Sequence, residues 1–155
     1  MRLLLLSLLM ISSVYAKNFG IVITDNNKLN LDDSLKSKIE TIFTKQDVNY
    51  LGKNSVDVLI DRDKKIKKLY TSSGVEKLIE YAKSKNYDSI ALVEYKKGSK
   101  FLSVVVVVAD KEVQDRKSKL TAFHPRLGRE LAKTILNSVL SLNYELGVLN
   151  VKNIY

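Results

Sequence analysis

A chain with one histidine and no cysteine has few residues with which to do covalent chemistry. His124 stands just before Pro125 at the start of a helical pattern, a position that suits hydrogen bonding to a helix end. Any Ser-His-Asp arrangement here would depend on that single imidazole. No Gly-x-Ser-x-Gly elbow, His-Glu-x-x-His pair or Gly-rich phosphate loop occurs. Asp61 and Asp63 flank Arg62 at the end of a β-rich run, where open α/β sheets often place ligand groups. Two such carboxylates could hold Mg²⁺ or Ca²⁺. Arg62 between them, with Lys64 and Lys65 after, would compete for their charge and repel a cation. Helix capping or ion pairing is the better expectation, with no metal and no cofactor. Asp32 and Asp33 fall in a first helical turn, where the helix dipole favours acids.

Cations are the more prominent groups. Arg62, Lys64, Lys65, Lys67 and Lys68 form the densest cluster, and Arg126, Arg129 and Lys133 make a stripe at i, i+3, i+7. Cations near a helix N-terminus oppose its dipole by a few tenths of a kcal/mol each, so something besides helix stability would keep them. The net charge is +9. It suits acidic proteins, anionic lipid or lipopolysaccharide, and a purely solvated, solubilising face explains it as well.

These residues must be positioned by a regular fold. Phe19–Ile23 is a strand closed by the turn signal Asp25-Asn26-Asn27. Leu31, Leu35, Ile39, Ile42 and Phe43 form one helical stripe, and Val56–Ile60 is a second strand. Arg62–Tyr70 reads as one or two helical turns. Ser73-Gly74-Val75-Glu76 has capping-box spacing, with Val75, Leu78, Ile79 and Ala82 as a buried face behind it. Ser89–Tyr95 and Phe101–Ala109 are strands around a turn at Lys97-Gly98. The unbroken Val104–Val108 run implies a central strand buried on both faces. A charged turn region, Asp110–Lys119, leads to a short strand at Leu120–Phe123. A last helix after Pro125 carries Leu127, Leu131, Ile135, Val139 and Leu142. Strand-helix-strand units give parallel neighbours and the meander gives antiparallel ones. The expected fold is α/β, a mixed sheet of about five strands covered by helices.

Residues 1–16 read as a cleavable signal peptide. Arg2 supplies the positive region, Leu3–Ile11 the apolar core, and Val14-Tyr15-Ala16 the small residues at a cleavage site. That core is too short for a bilayer of ~30 Å, which needs ~20 residues. Residues 17–143 then form one domain and 144–155 an apolar carboxyl-terminal tail. An exported chain without Cys cannot rely on disulfides, so burial must hold it, which fits a periplasmic location, with an extracellular one open. Export argues against nucleic acid as the partner.

The order of elements and several short sequences resemble the amino-terminal domain of TolB and the CsgG, LpoB and FlgO type of bacterial envelope domains. The matching features are Leu59-Ile60-Asp61-Arg62 with Ile66 and Leu69 after it, and the corner Asn86-Tyr87-Asp88 leading into Ser89–Val93. The hairpin around Gly98 returning to Ala109-Asp110, and the final helix, complete the match. No propeller follows the domain, no lipobox Cys is present, and the corner lacks the family's Gly-Ala pair. The resemblance implies a non-catalytic envelope protein that binds a partner protein or an anionic envelope component. The alternative is a periplasmic hydrolase or metal-dependent enzyme using Asp61, Asp63 and His124. The tail is expected either to cover its own domain or to add a strand to a partner through Leu146, Val148, Val151 and Ile154.

Overall fold

The computed structural model describes residues 17–24, 33–45, 54–95, 101–109, 115–122 and 128–149. Its elements are β1 (Asn18–Thr24), α1 (Asp33–Thr44), β2 (Ser55–Asp61), α2 (Lys65–Ser73), α3 (Val75–Ser84), β3 (Ser89–Tyr95), β4 (Phe101–Val108), β5 (Arg116–Ala122) and α4 (Gly128–Glu145). The strands form one mixed sheet in the order β2-β1-β3-β4-β5. β1 runs parallel to both β2 and β3, and β4 and β5 are antiparallel additions. The chain steps outward from β1 to β2 through α1, then back across β1 to β3 through α2 and α3. Reversing the direction of the step while keeping a right-handed crossover requires the opposite face. Accordingly α1 and α4 share one face of the sheet, and α2 and α3 lie on the other.

Side-chain alternation divides the core between those faces. Phe19, Ile21 and Ile23 of β1 face Ile39, Phe43, Ile135 and Val139 in the larger cluster. Phe19 and Phe43 meet edge to face, with ring centroids 6.4 Å apart. Val22, Ile90, Leu92 and Val107 face Ile66, Leu78 and Ala82 in the smaller one. Each such Val, Leu, Ile or Phe side chain contributes about 1.5–3 kcal/mol when fully buried. The Val104–Val108 run is buried except at Val105, which is half-buried beside a hollow next to α2.

Three local expectations are corrected. The charged stretch Arg116–Lys119 belongs to β5 and pairs with Val104–Val107, so it is strand rather than turn. Its β4 partner is apolar and its outer side is a sheet edge, which tolerates Lys and Arg. Ser73 ends α2, and Gly74 takes the N-cap position of α3 that the spacing assigned to Ser73. The chain remains helical through Glu145 instead of extending from Tyr144.

α3 and α4 finish in the same way. After α3, Asn86 is left-handed at φ 61°. The Tyr87 N–H donates to the Ala82 carbonyl at 2.9 Å and the Asn86 N–H to the Lys83 carbonyl at 3.1 Å. That pair of bonds, with Tyr87 packed in the same cluster as Ala82, is a Schellman motif. After α4, Gly147 (φ 78°) takes the left-handed position, and the Val148 N–H donates to the Asn143 carbonyl at 3.0 Å. The reversal sends Val148 and Leu149 back into the larger cluster. Asn86→Gly, which relieves a left-handed non-glycine residue, is expected to leave stability unchanged or raise it by up to about 1 kcal/mol in a urea melt.

Gly20 has a different task. A Cβ there would overlap the Tyr87 ring, which lies across the middle of β1. The ring cannot swing aside freely, because its hydroxyl donates to Asp57 Oδ2 on β2. Gly20→Ala is therefore expected to cost about 1–3 kcal/mol by overpacking, read as a lower urea midpoint with an unchanged slope. No helix among the described residues is long and apolar enough to cross a membrane.

Candidate functional site

The sheet brings the carboxyl end of β2 to the start of α2, and the candidate residues meet there. Asp61 is buried at the last position of β2. Its Oδ1 accepts the Lys65 N–H at 2.9 Å, and its Oδ2 accepts those of Ile66 and Lys67 at 3.1 Å each. One carboxylate thus satisfies three amides that a helix N-terminus leaves without intrahelical partners. The connecting turn is tight: Lys64 is left-handed (φ 57°) and its N–H donates to the Asp61 carbonyl at 3.3 Å. Ile66, one residue into the helix, is driven into the core beneath. The helix is therefore fixed at its first turn by an acid from behind and an apolar anchor from below.

That geometry separates the sequence candidates. Asp61 is turned onto the helix amides, whereas Asp63 is exposed in the turn. No group of three or more metal-binding side chains is found among the described residues. His124 and Arg126 lie outside those residues, as do segment 1–16, where a signal peptide is expected, and the tail residues Val151 and Ile154. Arg62, Lys64, Lys65 and Lys68 are exposed around the turn. Lys67 points elsewhere, forming an ion pair with Glu94 of β3. No acid stands in the first turn of α2, so the buried Asp61 carboxylate is what offsets the clustered positive charge there. Arg129 and Lys133 are also exposed, but they belong to α4 on the opposite face of the sheet. The two basic stripes do not make one footprint.

The tail residues take a place that was one of the two expectations for them. Leu146 and Val148 are 5% and 4% exposed and pack in the larger cluster. A strand offered to a partner would have to begin beyond Leu149.

Two features were not singled out from sequence. One is the pair Tyr87 and Asp57, whose partners are thirty residues apart and share no local pattern. Burial first, then the bond to Asp57 and its charge, push the Tyr87 hydroxyl pKa well above the usual tyrosine value. Burial also raises Tyr81, with the Asp57 and Asp61 charges adding to it. A phenol with a raised folded-state pKa keeps its proton while the unfolded chain loses it, so stability falls as pH rises above about 10. Tyr87→Phe should cost about 1 kcal/mol at neutral pH and make the alkaline loss shallower. Urea melts of both proteins at about pH 8 and pH 11 check this; parallel losses would contradict it. The other feature is β5, where Arg116, Lys117 and Lys119 crowd onto an edge strand. The alternation Lys117-Ser118-Lys119-Leu120-Thr121 was the available signal.

No family profile matches the chain, and no curated protein does. Among solved structures, the crystal structure of TolB from Acinetobacter baumannii aligns at 14% identity with a TM-score of 0.43. The alignment covers 80% of this chain, which spans 27% of that protein. No family membership follows from a likeness at that level.

Proposed function

We propose that this is an exported, non-catalytic bacterial cell-envelope protein that binds a partner protein or an anionic envelope component. The observation that carries the reading is the exposed group Arg62, Lys64, Lys65 and Lys68 around the first turn of α2. Cations there work against the helix dipole, no acid stands in the first turn of α2, and the buried Asp61 carboxylate is one charge set against those of Lys64, Lys65 and Lys68. An anionic surface facing the turn gives them a purpose that local stability does not. Asp61, the strongest candidate for acid or metal chemistry, has a structural task at the same place, which supports a binding role over a catalytic one. The signal-like segment 1–16 and the absence of cysteine support export into the periplasm.

The test has two arms. Cell fractionation with amino-terminal sequencing should find a chain beginning at Lys17 in the periplasmic fraction. Immobilised protein should capture a component of periplasmic extract that elutes as salt rises from about 0.05 to 0.5 M, since exposed charges are screened over that range. A full-length chain in the cytosol, or no salt-eluted component, would count against the reading.

A further inference from the structure

The outer edge of β5 pairs with no described element, and α4 runs beside it on one face of the sheet. Between them lies an open groove of about 540 Å³. Lys119 and Thr121 of β5 line one wall, and Thr134, Asn137, Ser141 and Tyr144 of α4 line the other. Pairing fixes which side chains of β5 point where. Lys117 and Lys119 stand opposite Val106 and Val104, on the α4 face, while Ser118 and Leu120 stand opposite Val105 and Ser103, on the other. Leu120 is 58% exposed and Phe101, on the same face of β4, is 43% exposed. The α4 face of the edge thus carries Lys117, Lys119 and Thr121, the other face carries Arg116 and Ser118 beside the exposed Leu120, and no acid lies within Arg116–Ala122.

Lysines on an edge strand are a common device against unwanted pairing. They repel a second copy of the same cationic strand, yet they attract an acidic one, so a single feature can exclude one partner class and select another. A strand added to β5 would gain backbone hydrogen bonds. It would also lower every second side chain toward the groove beside α4, which is how strand addition combines affinity with specificity. We propose that β5 and α4 form a docking groove for an extended polypeptide segment of alternating acidic and apolar residues. Its acids face Lys117, Lys119 and the α4 hydroxyls, and its apolar residues lie beside Leu120. The groove lies on the α4 face, apart from the turn at the start of α2, so it is a second surface beyond the one that carries the proposed binding role.

The test uses the full mature chain and a fluorescein-labelled Glu-Val-Glu-Val-Glu-Val-Glu peptide, with its Lys-Val counterpart as control. Fluorescence anisotropy should show binding of the acidic peptide only. The double variant Lys117→Glu, Lys119→Glu should weaken it by about tenfold while its thermal midpoint stays close to that of the parent. Hydrogen exchange should slow at the amides of 116–122 when peptide is added. Equal binding of the two peptides, an unchanged affinity in the double variant, or unaltered exchange in β5 would overturn the proposal. So would protection, without peptide, of those amides of 116–122 that do not bond to β4, which would mean that the chain's own tail or a second copy already fills the edge. If the acidic peptide fails but reversal of Lys64, Lys65 and Lys68 still abolishes capture from extract, this inference falls and the binding role stands.

Discussion

Truncating the chain after Glu145 should bring the domain close to unfolding at 37 °C. The deletion removes Leu146, Val148 and Leu149, each 5% exposed or less in the larger cluster. It also removes the Gly147 reversal and the amides of Leu146, Val148 and Leu149 that cap the last carbonyls of α4. At about 1.5–3 kcal/mol per buried aliphatic side chain, the loss is about 4–6 kcal/mol after some discount for a compact unfolded state. That is comparable to the whole stability of an ordinary domain, about 5–15 kcal/mol. Calorimetry of the truncated and parent chains checks it. A midpoint within a few degrees of the parent would show that these residues add little. A shorter deletion of 151–155 leaves the three buried residues in place and tests Val151 and Ile154 as partner contacts, through capture rather than melting.

Asp61→Ala is the point substitution expected to cost most. It leaves three amides at the start of α2 without their acceptor, in a place where water reaches poorly. Loss of a capping side chain costs about 1–2 kcal/mol, and unsatisfied, partly buried donors add to it. A total of about 3 kcal/mol, or roughly 10 °C in midpoint for a domain of this size, is expected. Asp61→Asn keeps one acceptor oxygen and should cost less than half as much. Asp63→Ala, exposed in the turn, should change stability by under about 0.5 kcal/mol. Equal losses for Asp61→Ala and Asp63→Ala would mean that the two acids act together, contrary to the geometry.

The fold was readable where burial is periodic. The stripe Leu35, Ile39, Phe43 gave α1, and the β-rich runs gave β1, β2 and β3, because each buries one face or both against a helix layer. The Asp61 cap was legible too, since Arg62, Lys64 and Lys65 made a metal site poor and a helix follows at once. What failed was local competition between patterns. Arg116–Lys119 looked like a turn because its charges hide a strand whose partner, β4, supplies the apolar half of the pair. Ser73 and Glu76 had the right spacing for a cap, but Gly74 let α2 continue to Ser73 and break there. Tyr87 over Gly20, with its hydroxyl on Asp57, depends on three segments meeting in space, and no window of sequence contains them. The basic residues were all visible, yet only the sheet separates Arg62–Lys68 from Arg129 and Lys133, by placing α2 and α4 on opposite faces.

The most direct measurement is the association rate of the component captured from periplasmic extract, compared between the parent and a Lys64→Glu, Lys65→Glu, Lys68→Glu variant. These side chains are exposed, so their reversal should leave the thermal midpoint nearly unchanged. If the turn at the start of α2 faces an anionic partner, the rate at about 0.05 M salt should fall by about tenfold or more, and the difference should shrink at about 0.5 M. The same reversal at Arg129 and Lys133, on the other face, should do much less. An association rate that ignores both salt and the reversal of Lys64, Lys65 and Lys68 would contradict the account.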